Sequence, residues 1–195
     1  MTAYKTIEQM IELIDEPNRS NCNKMLADNQ ALFQTAHGSV HNHQAWQGGY
    51  YDHIQEIMNI GCALYETLNS LRKLPFSLSD ALLIDFLHDV EKPWKYEQGE
   101  DGELRHTAAF QTKKADHEFR MQKLREYNIK LTPEQENAFK YVEGELNDYS
   151  NKKRVTGPLG AFCHLCDVTS ARIWFNHPLA EKDEWKGARR IRDTK

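Results

Sequence analysis

Four polar side chains interrupt segments whose other residues are mostly apolar, and their types are those that bind divalent metals. His88 and Asp89 close a segment that is apolar nearly all round, Asp167 lies in the middle of AFCHLCDVTSARIW, and His53 lies beside the apolar stripe of a long helical pattern. Burying an ionised carboxylate without a partner costs several kcal/mol, so each acid needs a cation or strong hydrogen bonds. One shared divalent ion would meet all of these needs.

Two neutral imidazoles and two carboxylates form a mixed nitrogen and oxygen donor set. This set suits Mn, Fe, Co, Ni, Zn or Mg, and it leaves coordination positions for water and phosphate. Each residue also has an ordinary explanation: a lone histidine such as His53 is usually a surface or satisfied core residue, and Asp167 could pair with Arg172. Because a His-Asp dipeptide also occurs by chance, spacing alone leaves both interpretations open.

The elements that would position these residues are predicted to be helices. Ser79 is the predicted N-cap of the most apolar helix, which Pro93 ends by Lys92. Thr132-Pro133-Glu134-Gln135 has the pattern of a capping box with proline at the first helical position. Apolar periodicity predicts helices over residues 5–15, 22–34, 50–72, 79–91, 113–128, 133–149, 158–175 and 179–191.

Two polar segments interrupt this series. Residues 36–49 are predicted to form a loop, and residues 95–112, with the turn signal Asp101-Gly102, a short hairpin or a mobile flap. We therefore expect an all-α, compact single domain over residues 1–195, with the metal-site core at about 37–175 and room for one small β-hairpin near 96–106.

Composition excludes several classes of function. The chain of 195 residues has a net charge of -4, whereas a duplex nucleic-acid binder usually needs a basic face. No apolar run is long enough to cross a membrane, and the N-terminus does not resemble a signal peptide. The four cysteines are too sparse for a disulfide scaffold. We expect a cytoplasmic protein with reduced thiols and no membrane partner.

The order His53, then His88-Asp89, then Asp167 resembles the H…HD…D signature of the HD-domain phosphohydrolases, in particular the small stand-alone proteins of bacteria and phages. HNHQAWQGGYYDHIQE is similar to the segment before the first metal histidine in one branch of that family. LLIDFLHDVEKPW resembles its HD-x-x-K motif, with Lys92 as the lysine, and FCHLCDVTSAR resembles the helix that supplies the last aspartate. The resemblance covers about residues 37–175.

This resemblance implies an HD-type helical bundle in which His53, His88, Asp89 and Asp167 bind one divalent ion. It also implies hydrolysis of a phosphoester by metal-activated water, with Lys92 neutralising a phosphate oxygen. Lys92 could instead be a solvated cation at a helix end. Glu91 replaces a glycine that is frequent in the family, and it is either a proton-transfer residue, a residue that supports the ligands or a solvated side chain.

Other residues are candidates for binding the substrate. His43, which lies with His37 and His41 in the predicted loop, could bind phosphate or protonate a leaving oxygen, or it could be exposed. Glu143 and Glu145 could bind ribose hydroxyls or a second metal, although the family's extra histidines are absent there and one metal is preferred. The remaining candidates are the cations Lys152, Lys153 and Arg154, for phosphate, and the aromatic residues Trp46, Tyr50 and Trp94, for stacking or for the core.

Two further interpretations compete with this one. Cys163-x-x-Cys166 with His164 could bind structural zinc, although helical spacing places both thiols inward as core residues. The expected substrate is a small phosphorylated compound such as a nucleotide. The alternatives are a phosphodiesterase or 3′-exonuclease acting on short nucleic acid or a cyclic nucleotide, a non-catalytic protein that sequesters nucleotides, and a purely structural helical protein.

Overall fold

The chain is mainly helical, and a computed structural model describes residues 3–145, 148–174 and 183–191. The helices are α1 (Ile7–Ile11), α2 (Asn18–Phe33), α3 (Gly49–Leu71), α4 (Leu78–Leu87), α5 (Lys92–Lys95), α6 (Lys113–Glu126), α7 (Pro133–Tyr141) and α8 (Pro158–Val168). An antiparallel pair, β1 (Tyr96–Gln98) and β2 (Leu104–His106), aligns Tyr96 with His106. The predicted mainly helical class and the hairpin near 96–106 are therefore confirmed.

Helix α3 lies at the centre of the packing, where it contacts α1, α4 and α8. Its residues Ile57 and Met58 are fully buried, and each such side chain contributes about 1.5–3 kcal/mol through burial. His53 lies one turn before Ile57 and therefore on the same face. The apolar packing that holds α3 thus carries His53 into the interior.

The start of α4 differs from the prediction. Ser77, not Ser79, is the N-cap, and it forms a capping box with Asp80. The hydroxyl of Ser79 instead accepts a hydrogen bond of 2.8 Å from the backbone N–H of Asp15. The two serines are equivalent by type, and the carboxylate that completes the box at the third helical position favours Ser77.

The end of α4 also differs, because the helix stops at Leu87 rather than near residue 91. Residues 88–91 form a turn, and Pro93 then lies in the first turn of α5. Proline is tolerated there, since the first N–H groups of a helix have no intrahelical partner. His88 and Asp89 therefore lie in a turn between two helices.

Helix α7 has the predicted capping box of Thr132 and Gln135, but it ends at Tyr141 rather than near residue 149. Gly144 adopts a φ of +103°, which a right-handed helix cannot contain. Glu143 and Glu145 consequently lie in a loop.

The predicted helix over 158–175 divides into α8 and a π-helical turn, Thr169–Ile173; Phe175 lies outside the described residues. The predicted helix over 179–191 is wrong for residues 183–191, which form turns and irregular chain, while 179–182 lie outside the described part. In this segment Gly187 has a φ of +88°, and Trp185 packs edge-on against Tyr4 with ring centroids 5.3 Å apart. Tertiary contacts rather than helix periodicity determine its path.

The predicted loop over 36–49 is confirmed, and Gly48 ends it as the N-cap of α3 with a φ of +86°. A Cβ atom on Gly48 would lie 2.5 Å from Cγ2 of Ile191, so glycine is required both for conformation and for space. Within the described part of the chain, no helix combines the length and apolar character needed to cross a bilayer.

Candidate metal centre

The four predicted metal ligands converge where α3, the turn after α4 and α8 meet. Nε2 of His53 lies 3.5 Å from Oδ2 of Asp89 and 3.3 Å from Oδ1 of Asp167. Nε2 of His88 lies 3.2 Å from the same Asp89 oxygen and 3.9 Å from the same Asp167 oxygen. Residues separated by more than a hundred positions thus direct two nitrogens and two oxygens at one point.

The chemistry of this donor set fits a divalent cation. Nε2 of His53 and Nε2 of His88 are both buried and have no hydrogen-bond partner within the described residues, although each lies beside carboxylates. Asp167 retains an 18% exposed side chain, so the group opens on one side. Unpaired buried nitrogens are costly unless they bind a proton or a metal, and two imidazoles with two carboxylates suit the transition metals and zinc.

His88 is oriented by the backbone. Its Nδ1 lies 2.8 Å from the carbonyl oxygen of Asp85, which can only accept, so Nδ1 carries the proton and Nε2 points to the acids. Burial lowers the pKa of His88, but the charges of Asp89 and Asp167 outweigh this effect and raise the pKa to about 9. For Asp167, burial acts in the opposite direction, yet its contact with the His53 ring and the charge of His88 lower its pKa to about 2.

Lys92 lies at the edge of this cluster. Its Nζ is 2.5 Å from Oδ2 of Asp89 and 3.3 Å from Nε2 of His43. Burial lowers the pKa of Lys92, but the charge of Asp89 outweighs it and leaves the pKa above its usual value, so the side chain is a cation. A fixed positive charge beside a candidate ligand can bind an anionic substrate oxygen.

His43 faces the cluster, as the sequence analysis allowed. Its ring centroid lies 4.8 Å from that of His53, and burial together with the charge of Lys92 lowers its pKa to about 3. The imidazole is therefore neutral and accepts a hydrogen bond from Lys92 through Nε2. A neutral ring has no imidazolium proton to give to a leaving oxygen, which favours a binding role.

Glu91 is buried beside Arg120, with its Oε2 3.7 Å from Nε of that arginine. Burial raises the pKa of Glu91 to about 7 against the opposing charge of Arg120. Arg120 also donates to the carbonyl oxygen of His88 at 2.5 Å and lies 3.3 Å from Glu143. Sequence reasoning missed Arg120, because α6 is largely polar and its inward face combines Leu124 with the charged residues Asp116 and Arg120.

A cleft of about 360 Å³ is lined by His43, Asp89, Glu91, Lys92 and Asp167. The lining also includes a buried ion pair, Lys95 with Asp116, at 2.7 Å, which sequence analysis missed. The hairpin, α5, α6 and the loop containing His43 therefore form the walls, and Asp89 and Asp167 of the four-residue cluster are exposed to the cleft.

Other predicted substrate-binding residues lie elsewhere. Among the described residues that line the cleft, Glu143 is present, whereas Glu145 accepts backbone hydrogen bonds from Val155 and Thr156. Trp46 donates through Nε1 to Asp52 at 2.9 Å and does not line the cleft. Three exposed cations also lie off its walls: Lys152, Lys153 and Arg154.

The other two aromatic candidates pack in the core. Tyr50 is buried against Phe33, and Trp94 packs edge-on to the same ring. Neither presents a face to the cleft, so core packing is the interpretation that applies to them.

The rival zinc site does not assemble. Cys163 and Cys166 are fully buried free thiols, as helical spacing predicted. His164 lies 2.7 Å from the carbonyl oxygen of Val142 through Nδ1. Over residues 3–145, 148–174 and 183–191, the groups able to hold a metal are His43–His53–Asp89 and His53–His88–Asp167, and neither contains a cysteine.

In comparisons with protein-family models, curated proteins and solved structures, nothing matches this chain. The resemblance to HD-domain phosphohydrolases therefore stays a prediction from the motifs, and the functional argument depends on the residues themselves.

Proposed function

We propose that this protein is a metal-dependent phosphohydrolase, related to the HD-domain enzymes, that cleaves a phosphoester of a small compound such as a nucleotide. The observation that carries the proposal is the pair of buried, unpartnered Nε2 atoms of His53 and His88, which face Asp89 and Asp167 beside a cleft. When bound by these four residues, a divalent ion would supply Lewis acidity and lower the pKa of water.

The protein's own side chains would carry the rest of the chemistry. Lys92 lines the cleft and would bind a phosphoryl oxygen, stabilising the charge that grows during transfer. Glu91 has a pKa of about 7, so near neutral pH it exists in both protonation states and could move a proton between water and a leaving oxygen. Neutral His43 would accept a hydrogen bond and help to fix the Lys92 ammonium.

The cleft favours a small polar substrate. Its walls combine the cations Lys95 and Lys113 with the carboxylates of Asp116 and Glu143, and Lys113 is paired with Glu143. Cations suit phosphate, while carboxylates suit hydroxyl groups such as those of a sugar. A nucleotide offers both kinds of group.

The experiment is a metal-dependent activity screen on metal-stripped protein. Mn²⁺, Co²⁺ and Mg²⁺ are each tested with nucleoside monophosphates and triphosphates, cyclic nucleotides and a model diester. We expect turnover that depends on the metal and is lost in Asp89→Ala. The matched control is Asp28→Ala, since Asp28 is a surface residue paired with Lys24 and lies far from the cleft.

The result distinguishes the alternatives. Preferential cleavage of the diester or of short single strands would assign phosphodiesterase or exonuclease activity to the same site. Tight nucleotide binding without turnover under all metals would reject an enzyme in favour of sequestration. Absence of stoichiometric metal in purified and in metal-titrated protein would reject the metal centre and leave a structural helical protein.

A further inference from the structure

His53 is oriented by a series of side-chain contacts that begins at Ser170, more than a hundred positions away. Its Nδ1, the nitrogen away from the acids, lies 3.1 Å from the hydroxyl oxygen of Ser170. Ser170 is fully buried in the π-helical turn after α8. By contrast, Nδ1 of His88 lies against a backbone carbonyl, which a side-chain substitution does not remove. The partner of His53 is a side chain and can be removed by substitution.

The direction of these hydrogen bonds follows from the partners of Ser170. Its hydroxyl donates to Oε2 of Glu56 at 2.6 Å, because a carboxylate can only accept. The same hydroxyl oxygen accepts from Nε2 of Gln44 at 3.1 Å. With its single proton given to Glu56, Ser170 can only accept from His53, so Nδ1 of His53 carries the proton and Nε2 carries the lone pair.

Glu56 is fixed in turn by the C-terminal segment. Its other oxygen, Oε1, lies 2.9 Å from Nη2 of Arg190, and both side chains are almost completely buried. Arg190 is also paired with Asp183. A guanidinium has only donors, so Oε1 is committed to Arg190 and Oε2 is left to accept from Ser170.

We propose that Ser170, Glu56 and Arg190 form a positioning chain that selects the tautomer of His53 in which Nε2 is free to bind the metal. The proposal rests on the proposed function in one respect, namely that His53 is a metal ligand. Outer groups that orient a ligating histidine typically contribute about 10–100-fold to metal affinity or activity. Ser170, Glu56 and Arg190 would act through His53 and would not touch the substrate.

The primary test measures the tautomer of His53 by ¹⁵N nuclear magnetic resonance of metal-free protein, with the signal assigned by its loss in His53→Gln. We expect the proton on Nδ1 in the wild type. In Ser170→Ala this preference should disappear, and the Kd for Co²⁺ measured by titration calorimetry should rise by about 10–100-fold. The matched control is Thr169→Ala, which deletes a neighbouring hydroxyl that bonds to the Leu165 carbonyl and should change neither quantity.

A second variant reverses the direction of the hydrogen bonds in the positioning chain instead of removing one of them. In Glu56→Gln, the amide oxygen stays with Arg190 and the amide NH₂ faces Ser170, which must then accept. The serine hydroxyl would turn to donate to Nδ1 of His53, and the proton of His53 should move to Nε2. A general loss of packing would produce no such inversion.

The outcomes separate this proposal from the proposed function. A wild-type Nδ1 that carries no proton, or an unchanged tautomer and Kd in both variants, would overturn the positioning chain even if the enzyme hydrolyses phosphoesters. A wild type that binds no divalent ion would reject the metal centre, while the tautomer measurement would still decide the role of Ser170. If Ser170→Ala does not fold, the wild-type tautomer and the tautomer in Glu56→Gln decide whether the positioning chain exists.

Discussion

The ammonium of Lys92 lies 2.5 Å from Oδ2 of Asp89, so one of the candidate metal ligands already has a fixed cationic partner. A divalent ion at His53, His88, Asp89 and Asp167 would share that carboxylate with Lys92. The lysine and the metal therefore repel each other while both are attracted to the same phosphate. Lys92 should consequently weaken metal binding and strengthen catalysis.

Removing the Lys92 charge should separate these two effects. In Lys92→Met, we expect the affinity for Mn²⁺ to rise by about tenfold or more, because tenfold corresponds to only 1.4 kcal/mol and charges about 4 Å apart near a surface interact by about 4 kcal/mol. The kcat should fall by about 10²–10³-fold, as when a charge-stabilising donor is removed. Calorimetry and steady-state kinetics measure the two quantities.

Lys92→Arg is the control, since it keeps the charge and should leave the metal affinity close to that of the wild type. Weaker metal binding in Lys92→Met would show that Lys92 organises Asp89 instead of competing for it.

Asp85 gives the folded state a distinctive dependence on pH. Burial raises the pKa of its carboxyl from 3.8 to about 8, although the charge of His88 opposes the shift. Neither carboxyl oxygen has a hydrogen-bond partner among the described residues. Between about pH 4 and 8 the folded state therefore holds a proton that the unfolded chain has lost. By linkage, this group's contribution to stability falls as pH rises, at up to about 1.4 kcal/mol per unit.

Asp85→Asn removes that titration and keeps the side-chain size. Relative to the wild type, we expect this variant to gain stability from pH 5 to about pH 8 and then to level off, by a total on the order of a few kcal/mol. Urea unfolding at pH 5, 7 and 9 measures the difference, with Asp28→Asn as the exposed control. A constant difference across this range would contradict the buried, protonated state of Asp85.

Loss of the buried ion pair of Arg190 and Glu56 should lower the stability of the fold much more than loss of an exposed pair of the same length. Arg190→Met leaves the buried carboxylate of Glu56 without its partner, and losing one member of a buried pair costs about 3–5 kcal/mol of unfolding free energy. The control is Arg19→Met, which breaks an exposed pair with Glu16 of the same 2.9 Å length and should have a much smaller effect on stability.

Chemical unfolding of both variants provides the comparison. The double variant Glu56→Gln/Arg190→Met should be more stable than Arg190→Met alone, because it removes the uncompensated charge. Equal effects of Arg190→Met and Arg19→Met would show that the C-terminal segment does not stabilise the fold through this pair.

The candidate centre could be predicted from the sequence because its residues interrupt strong local patterns. His53 falls within the apolar periodicity of α3, and the pair His88-Asp89 follows the most apolar helix of the chain. Asp85 had the same signal, a carboxylate within LLIDFL, and could have been found in the same way. In each case a polar residue among apolar neighbours carried the information.

Residues held by distant partners had no such local signal. Arg190 pairs with Glu56 across 134 positions, and its own segment has the spacing of a helix that does not form. Arg120 lies in a largely polar helix, and its partners Glu91 and Glu143 come from distant segments. These contacts depend on tertiary structure, which short-range periodicity does not encode.

The close approach of Gly48 and Ile191 has an evolutionary consequence. A methyl group at position 48 would occupy the space of the isoleucine side chain, 2.5 Å away, and Arg190 is the residue immediately before that isoleucine. The turn that begins α3 and the segment that carries Arg190 therefore cannot diverge independently. A smaller residue at 191 would remove this clash but not the backbone strain at a φ of +86°, so glycine should persist at position 48 among descendants of this sequence.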